Sequence, residues 1–331
     1  MNNLTDAKYY KKINSNVECL LCPHSCIISK DKTGVCGVRK NLDGRLFSTI
    51  YGELTATSND PIEKKPLYHF YPAKGIFSIG TKGCNLSCPY CQNWHISQNL
   101  SVRTSYYSPK EIVNAALQNN SIGIAYTYSE PIIWIEYILD CSKLAREKGL
   151  KNVYVTNGFI NPEPLEDILE YADAMNIDLK SFREDTYRKI MKGGLSNVLQ
   201  TIERVYQSCH LELTTLVVTG VNDSIQEMHD IIEWINSVDK NIPWHISRYY
   251  PCYNYDAPST DIDFMLKIYD EAVLKLNYVY CGNIAGSHGR SDTICPNCKS
   301  IAISRSGYMT AIEMCKNGKC SNCGYDLNIK Q

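Results

Sequence analysis

The run Cys84-Asn85-Leu86-Ser87-Cys88-Pro89-Tyr90-Cys91 constrains this chain more than any other segment, because it sets three thiols at C-x3-C-x2-C spacing on one short loop. A structural zinc ion or a closed electron-transfer cluster takes four protein ligands, so a three-thiolate set leaves one metal position open for chemistry. The loop follows Gly75-Ile76-Phe77-Ser78-Ile79-Gly80, an apolar run that reads as a buried strand delivering the cysteines to its end. The alternative is a zinc site completed by a distant fourth ligand.

Cysteine makes up 16 of the 331 residues. The N-terminal MNNLTDAKYYKK has no apolar core, and no apolar run is long enough to span a bilayer, so a cytoplasmic protein without membrane association is expected. In a reducing compartment so many cysteines point to metal ligation, not disulfides. Lys and Arg number 34 against 35 Asp and Glu, which gives no global field to attract nucleic acid. The cysteine clusters suggest three parts: a Cys-rich N-terminal extension over 1–72, a barrel over 73–286 and a zinc-ribbon-like module over 287–331.

The middle part alternates strand and helix patterns. Strands are expected at 75–80, 122–127, 152–156, 174–179, 211–218, 244–248 and 278–281. Helices are expected at 109–119, 131–148, 164–171, 184–190 with 197–208, 224–238 and 261–276. Such βα units form an α/β fold, a full or partial TIM barrel, with function at the C-terminal ends of the strands. Those ends carry Tyr128-Ser129-Glu130-Pro131, Thr156-Asn157-Gly158, Asp178-Leu179-Lys180 and His245-Ile246-Ser247-Arg248. Each also has a plain structural reading. Glu130 can favour a helix start, Asn157-Gly158 can be a tight turn, Asp178 and Lys180 can be an ion pair, and His245 a core histidine. Arg248, at a strand end, is expected to face a cofactor carboxylate or a substrate anion.

The cysteine loop, with its aromatic Tyr90 before the third cysteine, resembles that of the radical S-adenosylmethionine (SAM) enzymes. The fuller set is similar to one branch of them, the AmmeMemoRadiSam-system enzymes, relatives of pyruvate formate-lyase activating enzyme. It comprises Cys-Leu-Leu-Cys-Pro-His-Ser-Cys at 19–26, Gly-Val-Cys-Gly-Val-Arg at 34–39, the loop at 83–94, Tyr-Ser-Glu-Pro at 128–131, Thr-Asn-Gly at 156–158, Trp-His-Ile-Ser-Arg at 244–248 and Tyr-Val-Tyr-Cys-Gly-Asn at 278–283. The resemblance implies a partial (β/α)6-type TIM barrel and a [4Fe-4S] cluster on Cys84, Cys88 and Cys91, with SAM on its fourth iron. It implies reductive cleavage of SAM to a 5′-deoxyadenosyl radical that abstracts hydrogen from a substrate. An external one-electron reductant such as flavodoxin or ferredoxin would be a partner, as would Memo-like and AMMECR-like proteins and a macromolecular substrate. Tyr90, Ser129, Glu130, Thr156, Asn157, Asp178, Lys180, His245 and Arg248 are the expected cofactor-binding residues. Tyr-Ser-Glu replaces the Gly-Gly-Glu common in these enzymes, while Asp178-Leu179-Lys180 looks like the Asp-Leu-Lys of glycyl-radical activases.

Two further cysteine sets have metal-ligand spacing. Cys295-x2-Cys298 and Cys320-x2-Cys323 flank a predicted hairpin strand, the layout of a zinc ribbon, with an auxiliary iron–sulfur cluster as the alternative. Cys19, Cys22, Cys26 and Cys36 could hold zinc or an auxiliary cluster, and His24 could replace one thiol. Cys252 and Cys281, near strand ends, are candidate hydrogen-atom donors to a product radical, against the default of buried thiols. Three functions follow: hydrogen abstraction from an unidentified substrate, activation of a glycyl radical enzyme, or RNA binding through a zinc ribbon with a vestigial barrel.

Overall fold

The computed structural model describes residues 4–284 and 290–331; the expected boundary at 286/287 falls outside them. An eight-stranded sheet carries the fold. Its strands are β1 (Ala56–Pro61), β2 (Gly75–Gly80), β3 (Gly123–Tyr126), β4 (Lys151–Thr156), β5 (Ala174–Asp178), β6 (His210–Val217), β7 (Trp244–Arg248) and β8 (Val279–Gly282), in that spatial order. All neighbours from β2 to β8 pair in parallel. Their near-continuous burial is what a parallel sheet covered on both faces requires. The expected partial barrel is therefore the observed fold.

The edge strand β1 escaped the sequence pattern. It pairs antiparallel with β2, from Ala56↔Gly80 to Pro61↔Gly75. Its sequence, Ala-Thr-Ser-Asn-Asp-Pro, has no apolar alternation, and a terminal Pro is tolerated only because this strand is an edge.

The crossover helices are α1 (Pro109–Gln118), α2 (Ile135–Glu147), α3 (Pro162–Leu169), α4 (Leu195–Tyr206), α5 (Ile225–Asp239) and α6 (Ile262–Ala272). Local chemistry sets their starts. Ser108 and Glu111 form a reciprocal capping box around Pro109 at the first position of α1. The helix expected from residue 131 begins instead as a 3-10 turn, Pro131–Trp134, before α2. The 184–190 segment is a short helix, Glu184–Thr186, running into a wide turn over Tyr187–Met191.

The N-terminal segment shares the barrel's apolar core through Val17, Leu21, Ile28, Val38 and Leu46. Arg39, buried, donates from Nη1 to both carboxylate oxygens of Glu136 on α2 at 3.0 and 3.1 Å, and Asn161 donates from Nδ2 to the Leu20 carbonyl. The C-terminal module closes the opposite end, the floor of the barrel. Its sheet of Thr293–Ile294, Ile301–Ser306 and Met309–Ile312 presents Arg305, which donates to the Tyr68 carbonyl at 2.8 Å and lies 4.2 Å over the Tyr68 ring.

At that floor the fully buried Glu212 accepts from the backbone N–H groups of Tyr68 and His69 and pairs with the ring nitrogens of His210 and His245. Burial alone would raise its pKa, but the two histidines outweigh burial and hold the carboxyl well below its usual range. Its stabilising effect is thus present above the unfolded carboxylate pKa of about 4.3 and is lost as pH falls below it. Glu212→Ala strands four buried donors, so urea unfolding should show a loss of about 3–5 kcal/mol at neutral pH that shrinks in acid.

Candidate active site

A cavity of about 530 Å³ opens at the C-terminal ends of the strands. This volume lies within the roughly 300–1,000 Å³ of small-molecule sites. Its walls bring together Cys84, Cys88, Cys91 and Tyr90 from the loop after β2, Ser129 and Glu130 after β3, Thr156 and Asn157 at β4, and Asp178 and Lys180 at β5. A comparable cavity of about 560 Å³ lies at the other end of the strands, around Lys151, Asp173 and His210, and holds none of the cysteine loop. In barrels of this kind chemistry belongs to the C-terminal ends, so the first cavity is the site.

The cysteine loop is held on every side by its backbone. Gly80 and Gly83 admit it: a Cβ on Gly80 would sit 2.7 Å from the Thr127 carbonyl, and Gly83 has φ +95° with the Cys36 carbonyl 2.9 Å from its would-be Cβ. Ser87 N–H donates to the Met191 carbonyl, Gln98 Nε2 to that of Leu86, and Asn254 N–H to that of Pro89. Asn85 is buried; its Nδ2 donates to the Phe159 carbonyl and its Oδ1 accepts from Asn157 Nδ2 at 2.8 Å. The thiols remain free, and Cys91 Sγ lies 3.2 Å from Ser97 Oγ.

Glu130 joins two strand ends. Its Oε1 accepts from Thr156 Oγ1 at 2.6 Å and from Ile132 N–H, and its Oε2 accepts from Asn157 N–H at 2.8 Å. Burial, only partly offset by these donors, pushes its pKa up to about 7. The helix-start reading of Glu130 and its place in the cavity wall are both realised in one carboxylate. Across the cavity Lys180 Nζ donates to Asp178 Oδ2 at 2.7 Å. Burial would lower the Lys180 pKa, but the Asp178 carboxylate overcomes this and holds the pKa above its usual value. The loop carrying this pair is fixed: Lys180 N–H donates to Tyr187 Oη, and Asn222 Nδ2 donates to the Lys180 carbonyl.

Several wall residues lie beyond the sequence reading. Lys65 is buried against Asp60 at 2.7 Å, lies 4.6 Å over the Tyr128 ring, and has its pKa pushed down to about 8 by that burial. Ser247, Thr214 and Tyr308 also line the cavity. Only Ser247, two residues after His245, was marked by strand alternation.

Four expectations need correction. His245 points into the barrel but is spent at the floor on Glu212, 2.7 Å away, so it is the core histidine. Arg248 falls on the opposite face of β7 from Ser247; its Nε donates to the Thr260 carbonyl and its guanidinium covers Tyr250, outside the cavity. Cys281 pairs in register with Ile246 and so takes the outer face of β8, near Tyr269 of α6 and away from the cavity. Cys252 sits behind the loop, 3.5 Å from the Cys91 carbonyl, and does not line the cavity. Neither cysteine is placed to give hydrogen to a radical in the cavity.

The terminal cysteine sets differ from each other. Cys295, Cys298, Cys320 and Cys323 bring their four sulfurs within 4.8 Å of one another, with Cys295–Cys323 and Cys298–Cys320 each at 3.6 Å. Contacts with Ser300, then Asn322, hold the Cys298 thiol below its usual range. Among the described residues no other set meets this single-ion geometry, including Cys19, Cys22, Cys26 and Cys36.

The Radical SAM superfamily pattern matches residues 78–235, from β2 into α5. The chain is 38% identical to the uncharacterized protein MJ0808 of Methanocaldococcus jannaschii over 98% of this chain and 99% of that one. The chain belongs to the radical SAM superfamily. It is an enzyme of that superfamily and is 26% identical, over 56% of its own length and 83% of the relative's, to a pyruvate formate-lyase-activating enzyme of Clostridium pasteurianum. A radical SAM methyltransferase from Sphaerobacter thermophilus shares its fold at 10% identity, with a TM-score of 0.50 over 85% of this chain and 77% of that one. Membership implies a [4Fe-4S] cluster and SAM, and the cavity suits them: three free thiols line one wall, and two buried hydroxyls, Tyr90 Oη and Ser129 Oγ, have no hydrogen-bond partner among the described residues. The barrel is no vestige, which removes the reading as an RNA-binding zinc ribbon. Among the described residues no helix is long and apolar enough to cross a membrane.

The geometry separates Ser129 from Arg248. Equilibrium binding of SAM to the reconstituted protein should weaken about tenfold in Ser129→Val, which removes a cavity hydroxyl worth roughly 1–1.5 kcal/mol. The same measurement should stay within twofold in Arg248→Ala.

Proposed function

We propose that this enzyme binds SAM and a [4Fe-4S] cluster in the 530 Å³ cavity and abstracts hydrogen from a substrate held against the Lys65, Ser247 and Tyr308 wall. The observation that carries this reading is the convergence of three free thiols, two residues with unpartnered hydroxyls and the Asp178–Lys180 pair on one cavity. When bound, the cluster and SAM supply one-electron cleavage of the sulfonium and a carbon radical able to take hydrogen from an unactivated C–H bond. Cys84, Cys88 and Cys91 would hold the cluster, leaving one iron for SAM. Tyr90 and Ser129 would satisfy polar edges of SAM, and the charged Lys180, set by Asp178, would offer a fixed cation beside Cys88. Glu130 would act as a positioning residue, since its oxygens already hold Thr156 and Asn157 in the wall. The strand ends would shield a bound substrate from part of the solvent, as a reactive radical requires.

The resemblance to AmmeMemoRadiSam-system enzymes supports a flavodoxin- or ferredoxin-type reductant and Memo-like or AMMECR-like partners. A second reading, activation of a glycyl radical enzyme, is supported by Asp178-Leu179-Lys180 and the activase relative. Electron paramagnetic resonance after incubation with cell extract separates the two, because only an activase leaves a stable protein radical on a partner. Zinc is the ion proposed for Cys295, Cys298, Cys320 and Cys323, whose tetrahedral spacing suits it. Double replacement Cys298→Ala/Cys320→Ala should remove about one zinc per chain and lower the melting temperature, since the metal would help fold this small module.

The decisive measurement is anaerobic. Replacing any one of Cys84, Cys88 and Cys91 by Ala should abolish 5′-deoxyadenosine formation from SAM. A variant that still makes it removes this site assignment.

A further inference from the structure

The four N-terminal cysteines are not arranged like the C-terminal four. Tetrahedral zinc with Zn–S bonds of about 2.3 Å draws its thiolates to about 3.8 Å from one another, as the C-terminal set shows with its two 3.6 Å contacts. No three of Cys19, Cys22, Cys26 and Cys36 gather within 4.8 Å among the described residues. Yet one tight fold gathers them: Cys19 N–H donates to the Cys26 carbonyl at 2.9 Å, and a Cβ on Gly34, two residues before Cys36, would sit 3.5 Å from Cys26 Sγ. None is in a disulfide. Cys84, Cys88 and Cys91 likewise do not gather within 4.8 Å of one another among the described residues. In a cuboidal cluster each thiolate binds a different iron, so its sulfurs stand farther apart than around one ion.

The surroundings of these thiols are those of a built site. Val35 N–H donates to Cys26 Sγ at 3.5 Å, the backbone of His24 turns toward Cys22, and the backbones of Val38 and Arg39 turn toward Cys36. Hydrogen bonds to cluster sulfurs are one of the means by which proteins tune such centres. Arg39, 1% exposed, has an Nε without a hydrogen-bond partner among the described residues, and after Glu136 the charges that act on it are those of Cys19 and Cys36.

The set also abuts the catalytic loop. Asn85 faces the Cys22 thiol on one side and Cys84 Sγ on the other, at 4.0 Å. His24 Nε2 lies 2.7 Å from the Asn85 carbonyl, so this histidine is engaged with the loop. The Cys36 carbonyl packs on Gly83.

We infer that Cys19, Cys22, Cys26 and Cys36 hold a second [4Fe-4S] cluster, closed by four thiolates and seated against the back of the Cys84–Cys91 loop. It rests on the proposed function only for the identity of its neighbour. Having no open iron, it binds no SAM. It takes one electron from a reduced one-electron carrier protein such as flavodoxin, which is oxidised in turn, and no bond is made or broken.

The test uses the full chain, reconstituted anaerobically with iron and sulfide. About eight irons per chain are expected, about four in Cys22→Ala/Cys26→Ala and about four in Cys84→Ala/Cys88→Ala/Cys91→Ala. After dithionite reduction the triple variant should show a cluster signal in electron paramagnetic resonance that SAM leaves unmoved. About four irons in the full chain with none in the triple variant, or a second tightly held zinc, overturns the inference. The triple variant keeps the question open to decision if the N-terminal variant fails to fold. A wild-type signal that ignores SAM would instead overturn the function proposed above, while iron in the triple variant would still support the second cluster.

Discussion

One buried asparagine ties the catalytic half of this protein together. Asn85 lies between Cys84 and the N-terminal thiols, accepts from Asn157 at the end of β4, donates to the Phe159 carbonyl, and offers its own carbonyl to His24. A loop that must carry a metal cannot be apolar, and a buried polar loop is stable only if each group finds a partner. Asn85 meets that demand for three segments at once. The N-terminal cysteine segment therefore backs the Cys84–Cys91 loop, as its shared apolar core also indicates.

The opposite end of the barrel solves a different problem. An incomplete ring of strands leaves polar side chains at its floor, and Glu212 gathers them by accepting from two backbone amides and two histidines. The C-terminal module seals this floor: His69 bonds the Leu327 carbonyl through Nδ1, and Lys330 N–H donates to the His69 carbonyl. The same module sends Tyr308 to the rim of the active cavity. One small four-cysteine unit thus buttresses the floor and borders the cavity.

The parallel strands and their crossover helices were legible because burial on both faces leaves continuous apolar runs, and helix starts carry Ser, Asn and Pro signals. Strand β1 was not, since an edge strand of Thr, Ser, Asn and Asp has no such pattern. The cavity residues from β2 to β5 were readable as strand-end motifs. Lys65 and Tyr308 were invisible, because one precedes the barrel strands that enclose it and the other arrives from a separate module. Arg248 was misplaced by a single residue, and in a strand one residue reverses the face.

By itself the sequence determined the chemistry available here: a three-thiol loop, two four-thiol sets and the alternating units that bring polar strand ends to one side. These follow from local spacing, which the chain carries without folding. Only the tertiary structure decided how those groups are spent. It turned His245 into a partner of Glu212, sent Arg248 and Cys281 to the outer face, and drew the C-terminal thiols to single-ion distance while holding the N-terminal ones apart. Such outcomes depend on which side chains meet across the barrel, and that is fixed by long-range packing and strand register, not by neighbours in sequence.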